Sequence, residues 1–367
     1  MGTPQPAPSR PTVSVIVPAR NEEDCLGACL TSLLRQTGVN FEILVVDDAS
    51  TDGTRAIAAS FPGVRIVDPG LPPAGWSGKN NAVTAGARSA SGEWLLFTDA
   101  DTVHLPGSLA RALAEARDRK VSLLSYSPEQ DVQTFWEKAI MPVVFAELAA
   151  TYRPANVSDP RSPAAAANGQ YILVERSAYY AVGGHAAVAG SLLEDVALAR
   201  LIKQSGRPIF FRLGKGIVRT RMYRSFSQLR EGWTKNLALL FGHPGLLGLS
   251  RMGEFLLLAG SLAWVVTTLG GAASSIGRVA ALALALITWG LFFRRILRAH
   301  FSWDSTTLAV LGLPLFSWLL LRSKMAHVRG EVTWKGRVYE ATAAGSDHAV
   351  ATQNAADESP VDLRAAS

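Results

Sequence analysis

"WLLFTDADTV", residues 94–103, is an apolar run that ends in two carboxylates one residue apart. Trp94, Leu95, Leu96 and Phe97 give the unbroken apolar stretch that a strand covered on both faces requires. Asp99 and Asp101 follow with no Gly or Pro between strand and acids to turn the chain away. A D-x-D triplet by itself is common on solvated loops, and "DTVHLPGS" supplies material for a polar cap on the next helix. Position is what makes this pair informative.

Upstream, strand and helix patterns alternate at short spacing. A strand over 13–17 is stopped by Pro18, and a helical stretch with apolar Leu26, Leu30, Leu33 and Leu34 follows. A second strand covers 41–46, after which Ser50, Thr51 and Asp52 can cap a helix from about Thr54. A third strand is expected over 64–67, then a helix over about 80–89 and the strand over 94–98. This alternation is the signature of a parallel sheet wrapped by helices, and such sheets bind ligands beyond the carboxyl ends of their strands. Asp47 and Asp48 lie just past one strand end, Asp99 and Asp101 just past another, so two acidic pairs converge on one crevice. Hard oxygen donors there suit a divalent cation such as magnesium or manganese, which also takes oxygens from a diphosphate.

The chain has 367 residues, enough for about two domains of ordinary size. Apolar residues make up 48%, concentrated towards the C-terminus. The formal charge is +6, compatible with nucleic acid, anionic lipid or anionic small substrates. Cys25 and Cys29 stand alone, with no adjacent His, and support neither a disulfide framework nor a zinc site. The Pro-rich start, 1–11, reads as a disordered leader without the features of a signal peptide.

Three apolar runs, 255–269, 279–293 and 306–321, are separated by short breaks. The first two, extended by small neutral flanks, approach the roughly 20 residues that a bilayer-spanning helix needs. For the third, which contains Pro314, crossing and lying re-entrant or at the interface both stay open. If all three cross with a cytosolic catalytic part, the basic "RSKMAHVRGEVTWKGR" lies outside, against the positive-inside rule. Buried helices of a soluble protein are the bland alternative. The expected organisation is a leader over 1–11, an α/β domain over 12–240, a membrane region over 241–325, and a basic, then disordered, tail over 326–367.

"VSVIVPARNEE", "ILVVDDASTDGT", "GWSGKNNAVTAG" and "GEWLLFTDADT", in this order, resemble the nucleotide-sugar-binding half of family-2 glycosyltransferases of the GT-A fold. "NGQYILVERSAYYAVGGH" and "LLEDVALARLIKQSG" resemble the acceptor half and its E-D motif, so the likeness covers about 13–240. The apolar segments and "WKGRVY" resemble, less specifically, the branch that glycosylates carotenoids, hopanoids and related lipids. The resemblance implies a mixed, mostly parallel GT-A sheet with helices on both faces, followed by C-terminal transmembrane helices.

It also implies roles. Pro18, Ala19 and Glu22 would line the base and ribose, with Asp48 ahead of Asp47 as partner of a uridine. Lys79 would approach the base or diphosphate, or be an ordinary surface lysine at a helix start. Asp99 would contact ribose or sugar and join Asp101 at a Mg2+ or Mn2+ ion. Asp195 would be the base with Glu194 beside it; without the upstream motifs the pair reads as an acidic cap favoured by the helix dipole. One carboxylate would take the acceptor proton while the nucleoside diphosphate leaves, with inversion at the anomeric carbon.

Gly169 and Gln170 are candidates for the donor-sugar or acceptor side, as are Gly184 and His185 at a turn, although a lone His is more often structural. The branches that carry Q-x-x-R-W find here only "QLREGW", with Arg230 and Trp233 three apart, which leaves both roles open and weakens a processive polysaccharide synthase. "MYRSFSQLREGWTKN" could lie on the membrane surface, with Arg221, Arg224, Arg230 and Lys235 at anionic headgroups and Phe226 and Trp233 in the interface. Nucleic acid is not expected as a partner, because this basic and aromatic mix has no motif of its own for it. The expected activity is transfer from a uridine diphosphate sugar to a hydroxyl of a lipid, at the cell membrane, with the catalytic domain cytosolic. The rivals are a polysaccharide or polyprenyl phosphate acceptor, and an inactive sugar-nucleotide-binding protein.

Overall fold

The computed structural model describes residues 10–271, 273–334 and 337–339. The expected leader up to residue 9 and the tail from residue 340 lie outside the described residues. The chain divides into two compact units: residues up to Met141 with Phe145–Ser225, and Pro142–Val144 with Phe226 onwards.

In the first unit the strands are β1 (Val13–Ala19), β2 (Phe41–Asp47), β3 (Val64–Val67), β4 (Trp94–Phe97), β5 (Thr102–His104), β6 (Leu123–Ser127), β7 (Glu129–Gln130), β8 (Ile172–Glu175), β9 (Ile209–Leu213) and β10 (Val218–Thr220). Helices α1 (Leu26–Leu34), α2 (Thr54–Ala59), α3 (Gly78–Ser89), α4 (Ser108–Asp118), α5 (Phe135–Thr151, of which Pro142–Val144 are counted with the second unit), α6 (Pro154–Ser158), α7 (Arg176–Ala181) and α8 (Glu194–Gln204) alternate with them. The main sheet runs β3-β2-β1-β4-β8-β6-β9. Only β8 is antiparallel to its neighbours β4 and β6. Strand period two sorts the core: Val13, Val15 and Val17 pack with Leu26, Leu30 and Leu33 of α1, whereas Ile16, Leu95 and Phe97 pack with Val83 of α3 and Leu198 of α8. Helices thus cover both faces, as the continuous apolar strands require.

This topology positions the site. Strand order reverses between β1 and β4, and an open α/β sheet leaves a crevice beyond its carboxyl ends at such a point. Because β8 is antiparallel, with Ile172 opposite Phe97, the residues just before it reach the edge that the residues just after β4 reach. A second sheet, β5-β10-β7, sets Thr220 opposite Thr102 beneath the D-x-D turn.

The second unit contains α9 (Phe226–Leu240), α10 (Pro244–Gly270), α11 (Ser275–Ile296), α12 (Trp303–Arg329) and a hairpin of β11 (Val332–Trp334) and β12 (Arg337–Tyr339). Helices α10 and α12, and α11 with the short 3-10 turn that continues it, are each long and apolar enough to cross a membrane. The third apolar run is therefore one continuous helix with Pro314 inside it. Large apolar side chains on α10 and α11, among them Leu256, Val266, Val279 and Leu286, are more than half exposed, a surface suited to lipid. Glu254 of α10 accepts from Arg251 and from Arg295 of α11, both at 2.7 Å, which satisfies the acid inside the bundle.

α9 is tied to α12 by polar contacts. The Ser323 hydroxyl donates to the carbonyl of Thr234 at 2.7 Å and accepts from the N–H of Ala238 at 2.9 Å, inserting itself into the hydrogen-bond ladder of α9. Arg322 Nε donates to Thr234 Oγ1, and the His327 ring meets the carbonyl of Lys235 at 2.8 Å. Two expectations for this stretch change. Trp233 is 2% exposed, so it is buried instead of entering an interface. Arg221 pairs at 2.9 Å with Glu137, which is already fixed by the capping box at the start of α5.

Candidate active site

α3 begins where Ser77 accepts from the N–H of Asn80, which puts Lys79 in the first turn. A cation there opposes the helix dipole, so it needs partners. It has two: Lys79 Nζ lies 2.9 Å from Asp99 Oδ1, past the end of β4, and 2.9 Å from Glu194 Oε1, at the start of α8. Burial works against the ammonium, but Asp99 and Glu194 more than offset it and hold its pKa well above the ordinary value.

Asp195 is next in α8. Its Oδ1 accepts from the adjacent Val196 N–H at 2.8 Å and its Oδ2 from the N–H of Gly169 at 2.9 Å. Burial, followed by the neighbouring Glu194, raises this carboxyl to about 6, while Lys79 and the two amides limit the rise. A carboxylate poised there is suited to accept a proton near neutral pH. An acidic cap alone would not explain the bond to Gly169, which comes from a different segment.

The turn with Asp99 and Asp101 rests on a buried polar network. Thr98 Oγ1 meets Thr102 Oγ1 at 2.8 Å and His104 Nε2 at 3.1 Å, and donates to the Gln170 carbonyl at 2.8 Å. Thr102 Oγ1 donates to the Asp99 carbonyl at 2.6 Å and Thr220 Oγ1 to the Asp101 carbonyl at 3.1 Å. Gln170 Nε2 reaches Thr220 Oγ1 at 3.3 Å and, over 3.5 Å, Asp101 Oδ2. Burial pushes His104 down to about 3, so it serves as a neutral hydrogen-bonding ring. Thr98, Thr102, His104 and Thr220 were absent from the residues expected from sequence. The alternation of Thr102 and His104, which puts both on one face of a short strand, was the available signal.

At the ends of β1 and β2, Ala19 stands opposite Asp47. Asp47 is 4% exposed and already engaged, accepting from Ser50 N–H and pairing with Arg55 at 3.2 Å. Asp48, also buried, has its carbonyl bound by Arg20 at 2.7 Å, and the N–H of Glu22 is fixed by Thr54 Oγ1 at 2.7 Å. Pro18 and Glu22 are partly exposed at this rim.

His185 is buried, bonded through Nδ1 to Tyr179 at 3.0 Å and edge-on to Phe97, and burial lowers it to about 4. Gly184 has φ +59°, and a Cβ there would collide with the Tyr179 ring. Packing accounts for both residues. Arg230 and Trp233 belong to the second unit.

Asp99 and Asp101 fit a divalent cation by their chemistry. Among the described residues no cluster of three or more His, Cys, Asp or Glu gathers to enclose an ion. A small hard cation needs only one or two carboxylates when phosphate oxygens and water complete its shell. The donor set therefore suits an ion that arrives with a diphosphate.

The family model for glycosyl transferase family 2 matches residues 14–181. A 4,4'-diaponeurosporenoate glycosyltransferase of Staphylococcus aureus strain MRSA252 is 30% identical over 340 residues, covering 89% of this chain and 88% of its own. Among solved structures, a mannosyltransferase of Pyrobaculum calidifontis in complex with GDP-Man and Mn2+ is 18% identical, with 87% of each chain covered and a TM-score of 0.49. Glucosyl-3-phosphoglycerate synthase of Mycobacterium tuberculosis, with Mn2+, UDP-glucose and phosphoglyceric acid, is 21% identical over 62% of this chain and 78% of its own, with a TM-score of 0.41.

Proposed function

Because the chain belongs to glycosyl transferase family 2 and is a glycosyltransferase, we propose that it moves a sugar from a nucleoside diphosphate, a uridine diphosphate in the first instance, to an apolar lipid acceptor. The observation that carries this reading is Lys79, which links the acid after β4 to the acid at the start of α8 at 2.9 Å each. One cation thereby joins the donor side of the crevice to the acceptor side.

Pro18, Ala19, Glu22 and Asp48 receive the nucleoside, while Asp47 holds the loop beside it through Arg55 and Ser50. Asp99 faces ribose or sugar, and Asp101 with Asp99 would hold a divalent ion, Mg2+ or Mn2+. When bound, that ion neutralises charge growing on the leaving diphosphate. The acceptor oxygen attacks the anomeric carbon, the bond to the diphosphate breaks on the opposite side, and Asp195 takes the hydroxyl proton. The configuration inverts. Gly169 orients Asp195, and Gln170 steadies Asp101. Helices long and apolar enough to span a bilayer support an acceptor met in the membrane. The reading puts the protein at the cell membrane with the catalytic unit on the cytosolic side, where nucleotide sugars are made.

A second reading has its own observation. The acceptor in the Staphylococcus relative's name is an -oate, a carboxylate. A carboxylate acceptor is already an anion and leaves Asp195 no proton to take, so the product would be a glycosyl ester.

The test uses detergent-solubilised protein, manganese or magnesium, a panel of radiolabelled nucleotide sugars and total lipid from the source organism. Labelled organic-phase product that is lost in both Asp101→Asn and Asp195→Asn supports transfer to a hydroxyl. Product lost only in Asp101→Asn supports the carboxylate acceptor. Donor binding without transfer in the unmodified protein rejects the proposal.

A further inference from the structure

Within the second unit a cleft of about 440 Å³ opens between α9 and α12. Its walls carry Arg230 from α9, Arg322, Met325 and Arg329 from α12, and the acids Glu231 and Glu331. We propose that this cleft binds the phosphate of a membrane phospholipid headgroup.

Guanidinium groups present planar forks of N–H donors that match phosphate oxygens. Arg230 and Arg329 enter no ion pair among the described residues, so their donors face the cleft and solvent. Arg322 is preset, its Nε on Thr234 Oγ1 at 3.2 Å and its guanidinium 5.7 Å from the Trp318 ring centre. The clamp of Ser323 and His327 on α9 fixes the two walls relative to each other. Cations in the last turn of a helix are favoured by its dipole, which accounts for Arg329 alone. It does not account for Arg230, which projects from the first half of α9, or for the convergence of three arginines on one cavity.

The position favours lipid over free anion. Arg322 follows directly on the apolar run of α12, a helix long and apolar enough to cross a membrane. A basic group just beyond such a run stands at headgroup depth. Met325 adds apolar surface for the start of the acyl chains. The two acids on the walls reduce the positive charge that the arginines bring, which favours the one negative charge of a phosphodiester over the larger charge of inorganic phosphate. The inference rests on the cleft and on α12 in a membrane, and is independent of the sugar-transfer chemistry.

Native mass spectrometry of the full chain in detergent, titrated with dioctanoyl phosphatidylglycerol, tests it. One phospholipid per chain is expected, with binding about tenfold weaker in Arg230→Ala and Arg329→Ala and less weakened in the lysine replacements, which keep charge and lose the fork. Gel filtration and thermal unfolding check the fold, and the lysine forms serve wherever an alanine form is not monodisperse. Dioctanoylglycerol, which lacks phosphate, should not bind there, and millimolar inorganic phosphate should not displace the lipid. Variants that bind like the unmodified protein, or equal retention of dioctanoylglycerol, would overturn the site, since acyl contacts would then carry the binding. Displacement by inorganic phosphate would overturn the lipid assignment.

Discussion

The N–H of Gly169 donates to Oδ2 of Asp195 at 2.9 Å, so the proposed base is held by the segment that leads into the antiparallel strand. A Cβ at position 169 would stand 3.1 Å from Lys79 Nζ and 3.6 Å from Asp195 Oδ2 and Glu194 Oε1. Gly169→Ala should therefore push the lysine aside by a few tenths of an ångström while leaving the backbone unstrained. We expect kcat/KM to fall about tenfold, roughly 1.4 kcal/mol of transition-state stabilisation, with the unfolding midpoint little changed. Steady-state kinetics beside a thermal melt decide this, and an unaltered kcat/KM would remove Gly169 from the site.

Lys79 controls its neighbours electrostatically. Replacing it with Met leaves Asp99 and Glu194 facing the same point without a cation, and it removes a charge that lowers the pKa of Asp195. The acid limb of the pH-rate profile should then move to higher pH, with activity at pH 7 lower by about 10- to 100-fold. Lys79→Arg should keep the limb nearer its original place. A fully active Lys79→Met enzyme with an unmoved limb would make the lysine a surface residue after all.

The sheet was legible because its strands are apolar on both faces, and Trp94–Phe97 ending in two acids marked the sheet edge at which Lys79 meets Asp99. Asp99, Lys79, Glu194 and Asp195 could be named for the same reason: each stands where an element begins or ends. The ion pairs among them could not be read from the chain, since they depend on how the starts of α3 and α8 meet the end of β4, which apolar periodicity does not encode. His104 was hidden by looking like cap material for the next helix. Trp233 misled because a basic and aromatic helix has the same composition whether its aromatic side chains meet lipid or are buried in the protein.

As the proposed base, Asp195, raised to about 6 by burial and by Glu194, should set the pH behaviour of a hydroxyl transfer. A base works deprotonated, so kcat/KM should rise with pH through about 6 and level off above it. Asp195→Asn should lose about 10²- to 10⁴-fold and show no such limb. For stability the sign is opposite: a carboxyl raised above its unfolded value favours the protonated folded state, and that contribution is lost as pH rises through about 6. A carboxylate acceptor would abolish the limb in the unmodified enzyme, which a single pH series on the organic-phase product would reveal.

Thr98 sits at the junction of the network beneath the D-x-D turn, and Thr98→Val keeps its shape while removing the hydroxyl. His104 Nε2, Thr102 Oγ1 and the Gln170 carbonyl would each lose a partner in a fully buried position. The expected cost is about 1–3 kcal/mol of stability. The turn that carries Asp99 and Asp101 would also loosen, so half-saturation with Mn2+ should rise several-fold while kcat at saturating metal changes less. His104 adds a pH signature, since burial holds its folded value near 3, below the unfolded one. Its contribution is present above the unfolded value and is lost as pH falls through the range down to about 3, where the unfolded chain takes the proton first. Acid unfolding of His104→Gln should accordingly depend less steeply on pH in that range than the unmodified protein does. Equal slopes, together with an unchanged Mn2+ requirement in Thr98→Val, would show the network to be packing without influence on the turn that carries Asp99 and Asp101.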